Sequence, residues 1–293
     1  MTCEGANMPL LIVTDLDGTL LDHDTYEVGP ARDVLVRTAQ AGVPLVLCSS
    51  KTRAEIEALQ QRLAIHHPFI AENGGAIVAP LGYFDRIPPD AVIDDGRFVW
   101  PLGRPYPEVV RALREVAAEE RVRCVGFSDM TVGDVAEECG LPVLDAQLAK
   151  LREFDEPYRL LDRDPAVRSR FLKALHKRGL KAMSGGRFDH VTGDADKGKA
   201  VAALRSLIPD GAGPTVLAGF GDSLNDVSML REVDLPVIVR SDANGATGRM
   251  LRKVPTAHVT DACGPAGWAE AVTSLLDGWR DDAPRTKARR WLG

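Results

Sequence analysis

An apolar run that ends in two carboxylates, between Leu10 and Asp22, constrains the fold of this chain more than any other segment. The run predicts a short strand buried on both faces, as in a parallel sheet covered by helices. Asp15 and Asp17 follow it two residues apart, so both side chains leave the strand's carboxyl end on the same side. Ligands of open α/β sheets bind at that end, and Gly18 lets the backbone turn there. The segment therefore predicts a hard-cation site, a nucleophile with a partner acid, or both; a strand followed by a solvated acidic turn has the same local pattern.

Length and composition are typical of a globular protein with one large domain or two ordinary ones. The 293 residues are 45% hydrophobic and carry a formal net charge of −6, which gives no support to nucleic-acid binding. No apolar stretch is long enough to span a membrane, and the N-terminus lacks a signal-peptide pattern. The 5 cysteines are scattered without CxxC spacing, which argues against a disulfide framework or a zinc site. We expect a cytoplasmic protein, either a monomer or a homodimer.

Two patterns of secondary structure alternate along the chain. Residues 1–82 and 192–278 carry strands and helices in turn, the arrangement of a doubly wound, Rossmann-like parallel sheet. Between them, residues 83–191 mix strands and helices in an order that predicts a smaller inserted α+β domain. This assignment places no strand between Gly75 and Arg97. Residues 279–293 are predicted to form a basic tail, most often a solvated end.

Polar side chains follow four of the predicted strand ends and helix entrances, and together they meet the needs of phosphoryl transfer. A carboxylate can attack phosphorus, and a second carboxylate can protonate the leaving oxygen and then activate water. Mg2+, a lysine and hydroxyl donors can offset the negative charge. Each residue alone also has an ordinary structural explanation, such as a helix-entry turn for Ser49 or a surface position for Lys197. The residues in question are Asp15, Asp17, Ser49, Lys197, Asp222 and Asp226.

These segments resemble, in order, the four motifs of the haloacid dehalogenase (HAD) superfamily. The matching segments are Asp15–Leu21, Ser49, Asp196–Gly198 and Gly221–Asp226. The insert resembles the α+β cap of the Cof-type branch. More narrowly, Cys48–Arg53, Glu72–Gly75, Arg152–Tyr158 and Gly186–His190 are similar to segments of the mannosyl-3-phosphoglycerate phosphatase branch. Ser-Ser-Lys stands where the commoner Cof pattern has Thr-Gly-Arg, a feature that this branch shares.

The resemblance implies a role for each motif residue. Asp15 is expected to be the nucleophile and a Mg2+ ligand, and Asp17 the general acid/base with its backbone carbonyl on the metal. Asp222 is the expected further ligand, and Asp226 a ligand through water or a support for the other ligands. Ser49, Lys197 and Asn225 are expected to bind the phosphoryl oxygens.

The implied reaction is the Mg2+-dependent hydrolysis of mannosyl-3-phosphoglycerate to mannosylglycerate, a compatible solute, and phosphate, through an aspartyl phosphate. The partner is then a phosphorylated glycoside. Other glycosyl or sugar phosphates, such as glucosyl-3-phosphoglycerate, remain alternatives, as do a phosphomutase and a phosphate-binding regulatory module. The intact set of four motifs argues against the module, because binding alone does not need Asp17.

Selectivity must come from groups beyond the phosphate site, because that site is generic. A glycerate carboxylate favours arginine, and sugar hydroxyls favour amides and carboxylates. Each candidate can equally be a surface or fold-stabilising residue. The candidates are Arg53, Asn73, Gly74, Arg187 and His190, with Gln147 and Asp189 as further ones.

Overall fold

The computed structural model describes residues 9–162, 164–184, 187–209, 214–241 and 245–279. Residues 1–8, residues 185–186 and the predicted tail from residue 280 on lie outside these ranges. The described chain forms two compact units. The first contains the residues up to Ser49, Leu81–Ile87 and those from Lys197 on, and the second contains Ser50–Pro80 and Pro88–Asp196. The predicted boundaries of the insert, residues 83–191, stay a prediction.

The strands and helices are as follows in chain order. The strands are Leu10–Thr14 (β1), Leu45–Cys48 (β2), Phe69–Ala71 (β3), Ala76–Pro80 (β4), Val92–Asp94 (β5), Arg97–Pro101 (β6), Cys124–Gly126 (β7), Asp155–Leu160 (β8), Lys181–Ser184 (β9), Asp189–Thr192 (β10), Val216–Gly221 (β11), Leu235–Arg240 (β12) and His258–Cys263 (β13). The helices are Ala31–Gln40 (α1), Arg53–Leu63 (α2), Tyr106–Glu120 (α3), Val132–Cys139 (α4), Val143–Ala149 (α5), Pro165–Lys177 (α6), Lys197–Leu207 (α7), Val227–Glu232 (α8), Ala246–Lys253 (α9) and Gly264–Trp279 (α10).

The first unit contains a parallel sheet in the order β13, β12, β11, β1, β2. Every residue of β1, β2 and β11 is buried, which explains their uninterrupted apolar sequences. Thr14, the last residue of β1, pairs with Phe220 on one side and Leu47 on the other. The carboxyl ends of these three strands therefore meet at one edge. This sheet confirms the predicted α/β class.

The second unit combines antiparallel strands with helices. Strands β7, β8, β10 and β9 form one four-stranded sheet, and β4 pairs antiparallel with β3 and β6. Helices α3 and α6 contribute to a buried core under the four-stranded sheet. In this core the ring centroids of Tyr158 and Phe171 are 6.1 Å apart. The four-stranded sheet with α3 and α6 confirms the α+β character predicted for the insert.

Sequence patterns missed two strands, β4 and β5. The apolar residues of β4 follow β3 after a turn of only 4 residues, Glu72–Gly75. This turn contains an Asn-Gly pair, which is typical of a β-hairpin, so the sequence did carry a signal for β4. β5 has only 3 residues, all exposed, inside a Pro- and Asp-rich stretch. At the start of α2, Thr52 and Glu55 form a capping box, in which each side chain accepts a hydrogen bond from the other residue's backbone N–H. In the described ranges, no helix has both the length and the apolar character needed to cross a bilayer.

Replacement of Phe171 by alanine should destabilise the second unit. Phe171 is fully buried in the core between α6 and the sheet, so its truncation leaves a cavity and should cost about 3–5 kcal/mol of unfolding free energy. Urea unfolding followed by circular dichroism measures this. Leu144→Ala is the control, because Leu144 is 72% exposed and its loss should change stability by less than about 0.5 kcal/mol. Equal effects of the two changes would contradict the assigned core.

Candidate active site

The carboxyl end of β1 holds Asp15 rigidly and places Asp17 on a turn. The Asp15 backbone N–H continues the sheet by donating to the Phe220 carbonyl at 2.9 Å, and the Asp15 side chain is buried. Asp17 lies two residues further, where the Gly18 N–H donates to the Leu21 carbonyl at 2.8 Å. Gly18 has φ +81°, a conformation that favours glycine. One carboxylate is thus fixed by the sheet and the other is carried by a tight turn.

Lys197 connects this strand end to the loop after β11. It is the first residue of α7 and is 1% exposed. Its Nζ donates to Asp15 Oδ1 at 2.5 Å and to Asp226 Oδ1 at 2.6 Å. Burial alone lowers the pKa of a lysine, but the charges of Asp15 and Asp226 outweigh it here and raise the pKa of Lys197. The ammonium group is therefore held in its charged form between two carboxylates.

The loop after β11 positions two further carboxylates. Asp226 Oδ2 accepts hydrogen bonds from the backbone N–H groups of Asp222 at 3.1 Å and Ser223 at 3.0 Å, which closes the turn. Asp226 therefore uses one oxygen for this turn and the other for Lys197. Asp222 accepts a hydrogen bond from the Thr19 hydroxyl at 3.3 Å, so the loop is also tied to the turn after β1.

The three buried carboxylates are suited to a hard divalent cation. Asp15, Asp222 and Asp226 offer ligand oxygens that lie within 4.8 Å of one another. Burial, together with the charges of neighbouring carboxylates, raises the pKa of Asp15 to about 7 and raises that of Asp222 well above its usual value. A bound cation removes this repulsion, and Mg2+ prefers oxygen ligands from a few carboxylates. The three carboxylates thus fit Mg2+. Asp226 has the least capacity left to bind it directly, because both of its oxygens already accept hydrogen bonds.

The remaining predicted phosphate-binding residues also belong to the first unit. Ser49 follows β2 directly and is buried, and the register of β2 with β1 places it at the same sheet edge as Asp15. Asn225 lies in the loop between Asp222 and Asp226, where its side-chain oxygen accepts a hydrogen bond from the Ser223 hydroxyl.

The candidate substrate residues of the second unit have partners within that unit. Asn73 and His190 both bond to the carboxylate of Asp155: Asn73 Nδ2 is 2.7 Å from Oδ2, and His190 Nδ1 is 2.9 Å from Oδ1. Arg53 pairs with Asp94 at 2.6 Å and with Glu153 at 3.2 Å. Of the other candidates, Arg187 donates a hydrogen bond to the Cys139 carbonyl, and Asp189 forms an ion pair with Arg168. Gln147 is exposed.

Glu72 anchors the loop that contains Asn73 and Gly74. Its buried carboxylate accepts hydrogen bonds at 2.8 Å from the backbone N–H groups of residues 153, 154 and 155. Glu72, Asn73 and Gly74 all have positive φ, at 50°, 56° and 96°. Arg152, also buried, lies 3.6 Å from Glu72 and 3.3 Å from Asp155. Burial raises the pKa of Glu72 to about 7, with the charge of Arg152 acting in the opposite direction.

Sequence reasoning did not single out Glu72, Arg152 or Asp155 individually. The first lies in the Glu72–Gly75 segment, and the other two lie in Arg152–Tyr158. Those segments were noted for their resemblance to a phosphatase branch. Neither segment has a local pattern that indicates a buried ionic network. The resemblance of the two segments to one phosphatase branch was therefore the available signal.

Comparison with known proteins identifies a family of hydrolases. Residues 12–91 match the family model of haloacid dehalogenase-like hydrolases. The chain is 39% identical to the glucosyl-3-phosphoglycerate/mannosyl-3-phosphoglycerate phosphatase of Methanococcoides burtonii, over 92% of this chain and 98% of that one. It is 35% identical to the protein of the same name from Persephonella marina, over 92% of this chain and 97% of that one. A haloacid dehalogenase-like hydrolase from Bacteroides thetaiotaomicron shares the fold, with a TM-score of 0.62 and 18% identity over 90% of this chain and 98% of that one.

Replacement of Gly18 by alanine should impair the site without unfolding the protein. A Cβ at this position would lie 2.6 Å from Asp222 Oδ2, so the turn or the Asp222 carboxylate must move. Displacement of a catalytic group by about 1 Å can cost about 100-fold in kcat, which steady-state phosphate release measures. Gly82→Ala is the matched control, since Gly82 has φ +79° but no atom within 4 Å of its Cβ position. Equal losses in the two variants would show that backbone strain, rather than the contact with Asp222, causes the effect.

Proposed function

The chain belongs to the haloacid dehalogenase-like hydrolases and is a phosphoric monoester hydrolase, and we propose that its substrates are glycosyl 3-phosphoglycerates. The mannosyl compound is the one implied by the sequence motifs, and the names of both relatives add the glucosyl compound. The products are the glycosylglycerate and inorganic phosphate. We also infer that the enzyme acts in the cytoplasm, as its scattered cysteines without CxxC spacing suggest.

The observation that carries the proposed chemistry is the contact of Lys197 with Asp15 and Asp226. It joins a carboxylate at a strand end, a buried cation and a potential metal ligand within one cluster. Phosphoryl transfer requires a positioned nucleophile and positive charge beside it. A surface cluster would be solvated and mobile, whereas Lys197 and Asp226 are at most 1% exposed. Fixed charges of this kind need no reorganisation during the reaction.

The carboxylates of Asp15 and Asp17 have different roles in the proposed reaction. Asp15 attacks phosphorus, the bond to the ester oxygen breaks, and that oxygen leaves with the electron pair and takes a proton from Asp17. Water next attacks the aspartyl phosphate and gives a proton to Asp17, which restores the Asp15 carboxylate and releases phosphate. Asp15 suits attack because the sheet holds it in place. Asp17 suits proton transfer because the turn lets it reach the leaving oxygen.

Other polar groups hold the phosphoryl oxygens. Lys197 neutralises one oxygen, and Ser49 and Asn225 donate hydrogen bonds to others. Asp15, Asp222 and the Asp17 backbone carbonyl, with Asp226 in support, would hold Mg2+, which would supply positive charge beside the phosphoryl group.

The predicted contacts to the sugar and glycerate are residues of the second unit. Of these, His190 and Arg187 have some exposed surface that a ligand could reach. Asn73 is fully buried, and Arg53 is engaged by two carboxylates. We therefore assign direct recognition to His190 and Arg187, while contacts by Arg53, Asn73 and Gly74 stay predictions.

Asp15→Asn should abolish phosphate release. An amide is a poor nucleophile, so kcat should fall by at least about 10^4-fold, as for removal of other covalent catalysts. Phosphate release is measured on mannosyl- and glucosyl-3-phosphoglycerate, with circular dichroism to check folding. Asp24→Asn, a change at an exposed position of the same segment, should keep full activity. Full activity of Asp15→Asn would exclude the mechanism, and a wild-type enzyme inactive on both compounds would exclude the substrates.

Removal of divalent cations should stop the reaction, and Mg2+ should restore it. Mg2+ binding should also raise the thermal midpoint, because a ligand at 100 times its Kd stabilises a protein by about 2.7 kcal/mol. Differential scanning calorimetry with and without Mg2+ measures the shift. Asp222→Asn should reduce the shift, since a neutral amide binds Mg2+ less well than a carboxylate, and Asp24→Asn should preserve it. A midpoint that does not respond to Mg2+ in the wild type would contradict this assignment.

A further inference from the structure

Asp155 occupies a central position among the polar residues of the second unit. It is the first residue of β8, and its side chain is fully buried. Its two oxygens contact Asn73 Nδ2 at 2.7 Å, His190 Nδ1 at 2.9 and 3.1 Å, and Arg152 Nη2 at 3.3 Å. Two residues that the sequence marks as candidate substrate contacts therefore meet at one carboxylate.

We propose that Asp155 is a positioning residue, which fixes the His190 ring with its proton on Nδ1 and thereby offers Nε2 to the sugar or glycerate part of the substrate. The part of this inference that concerns substrate rests on the proposed function. The part that concerns the ring does not, since it follows from contacts within the second unit.

The ionisation of Asp155 determines which atom carries the proton. Burial opposes the charged form, but His190, Arg152 and the hydrogen bond from Asn73 outweigh it and lower the pKa of Asp155. An ionised carboxylate can only accept hydrogen bonds. The hydrogen between Asp155 and His190 therefore belongs to Nδ1. The neutral ring then accepts a hydrogen bond at Nε2 from a hydroxyl, and the protonated ring donates one to a carboxylate.

The backbone N–H and carbonyl groups of Asp155 are hydrogen-bonded as well as its side chain. Its backbone N–H donates to Glu72 at 2.8 Å, and its carbonyl accepts from Arg152 Nε at 2.9 Å. Strand β8 pairs with β10 so that His190 lies opposite Pro157. The carboxylate and the ring thus sit on paired strands, and side chains on rigid elements keep their geometry better than those on loops.

The neighbouring residue Glu156 provides a matched control. It is also fully buried in β8, but successive side chains of a strand point to opposite faces. Its carboxylate accepts from the Tyr106 hydroxyl at 2.7 Å and from the Ser128 N–H at 3.0 Å. Glu156→Gln removes a buried charge from the same strand without touching Asn73 or His190.

The first experiment measures the ring tautomer by nitrogen-15 NMR of the histidine side chains. His190→Gln identifies the signal among those of the 6 histidines. At a pH where the ring is neutral, we expect the Nδ1–H tautomer in the wild type and in Glu156→Gln. Asp155→Asn should shift the ring towards Nε2–H. An Nε2–H tautomer in the wild type overturns the proposal, and this test needs neither a substrate nor a folded Asp155 variant.

The second experiment measures selectivity. For Asp155→Asn we expect KM for the glycosyl 3-phosphoglycerate to rise about tenfold, as for loss of a hydrogen bond to a charged group, with kcat changing less. The ratio of kcat/KM for this compound to that for p-nitrophenyl phosphate should fall by a similar factor, but not in Glu156→Gln. The double variant Asp155→Asn/His190→Ala should be no worse than His190→Ala. Additive losses overturn the positioning role. A wild type inactive on the glycosyl compounds overturns the proposed function instead. The NMR measurement of the His190 tautomer then still tests whether Asp155 positions the ring.

Discussion

The contact of the Lys197 ammonium group with two buried carboxylates is the interaction on which the first unit depends. Taking charges out of water is costly, and the cost is offset only when partners and hydrogen bonds satisfy each group. Lys197 meets Asp15 and Asp226 at 2.5 and 2.6 Å, and the second oxygen of Asp226 caps the turn after β11. One cation therefore fixes the relative positions of a strand end, a helix start and a loop. The same arrangement would give the proposed reaction its nucleophile and its positive charge.

A related arrangement occurs in the second unit with a different result. Arg152 lies between the carboxylates of Glu72 and Asp155, all three buried. Arginine stays charged in such surroundings and donates in several directions at once. It joins β8 to the loop of residues 72–74 and also donates to the Ser50 carbonyl at 3.1 Å. In the first unit a buried cation supports chemistry, whereas here it supports backbone geometry and the orientation of His190.

The sequence predicts the first unit far better than the second for a physical reason. Parallel strands buried on both faces are continuous apolar runs, and their carboxyl ends share an edge, so Asp15, Ser49 and Asp222 can be grouped without knowing any contact. The network around Asp155 has no such periodic signal. Asn73 and Asp155 are 82 residues apart, and only the folded chain brings them together. Strand β4 does have a signal, the Asn-Gly turn that precedes it, whereas β5 is short and exposed and has none.

The strained loop explains why Glu72 is an acid at a fully buried position. Non-glycine residues with positive φ cost of order 1 kcal/mol each, and both Glu72 and Asn73 adopt such values. Three hydrogen bonds from backbone N–H groups to the Glu72 carboxylate oppose that cost and satisfy the start of β8. A glutamine would offer one acceptor oxygen instead of two and would leave Arg152 with less compensating charge. The loop conformation, the buried acid and the orientation of Asn73 towards Asp155 therefore depend on one another, and a change in any one of them should disturb the other two.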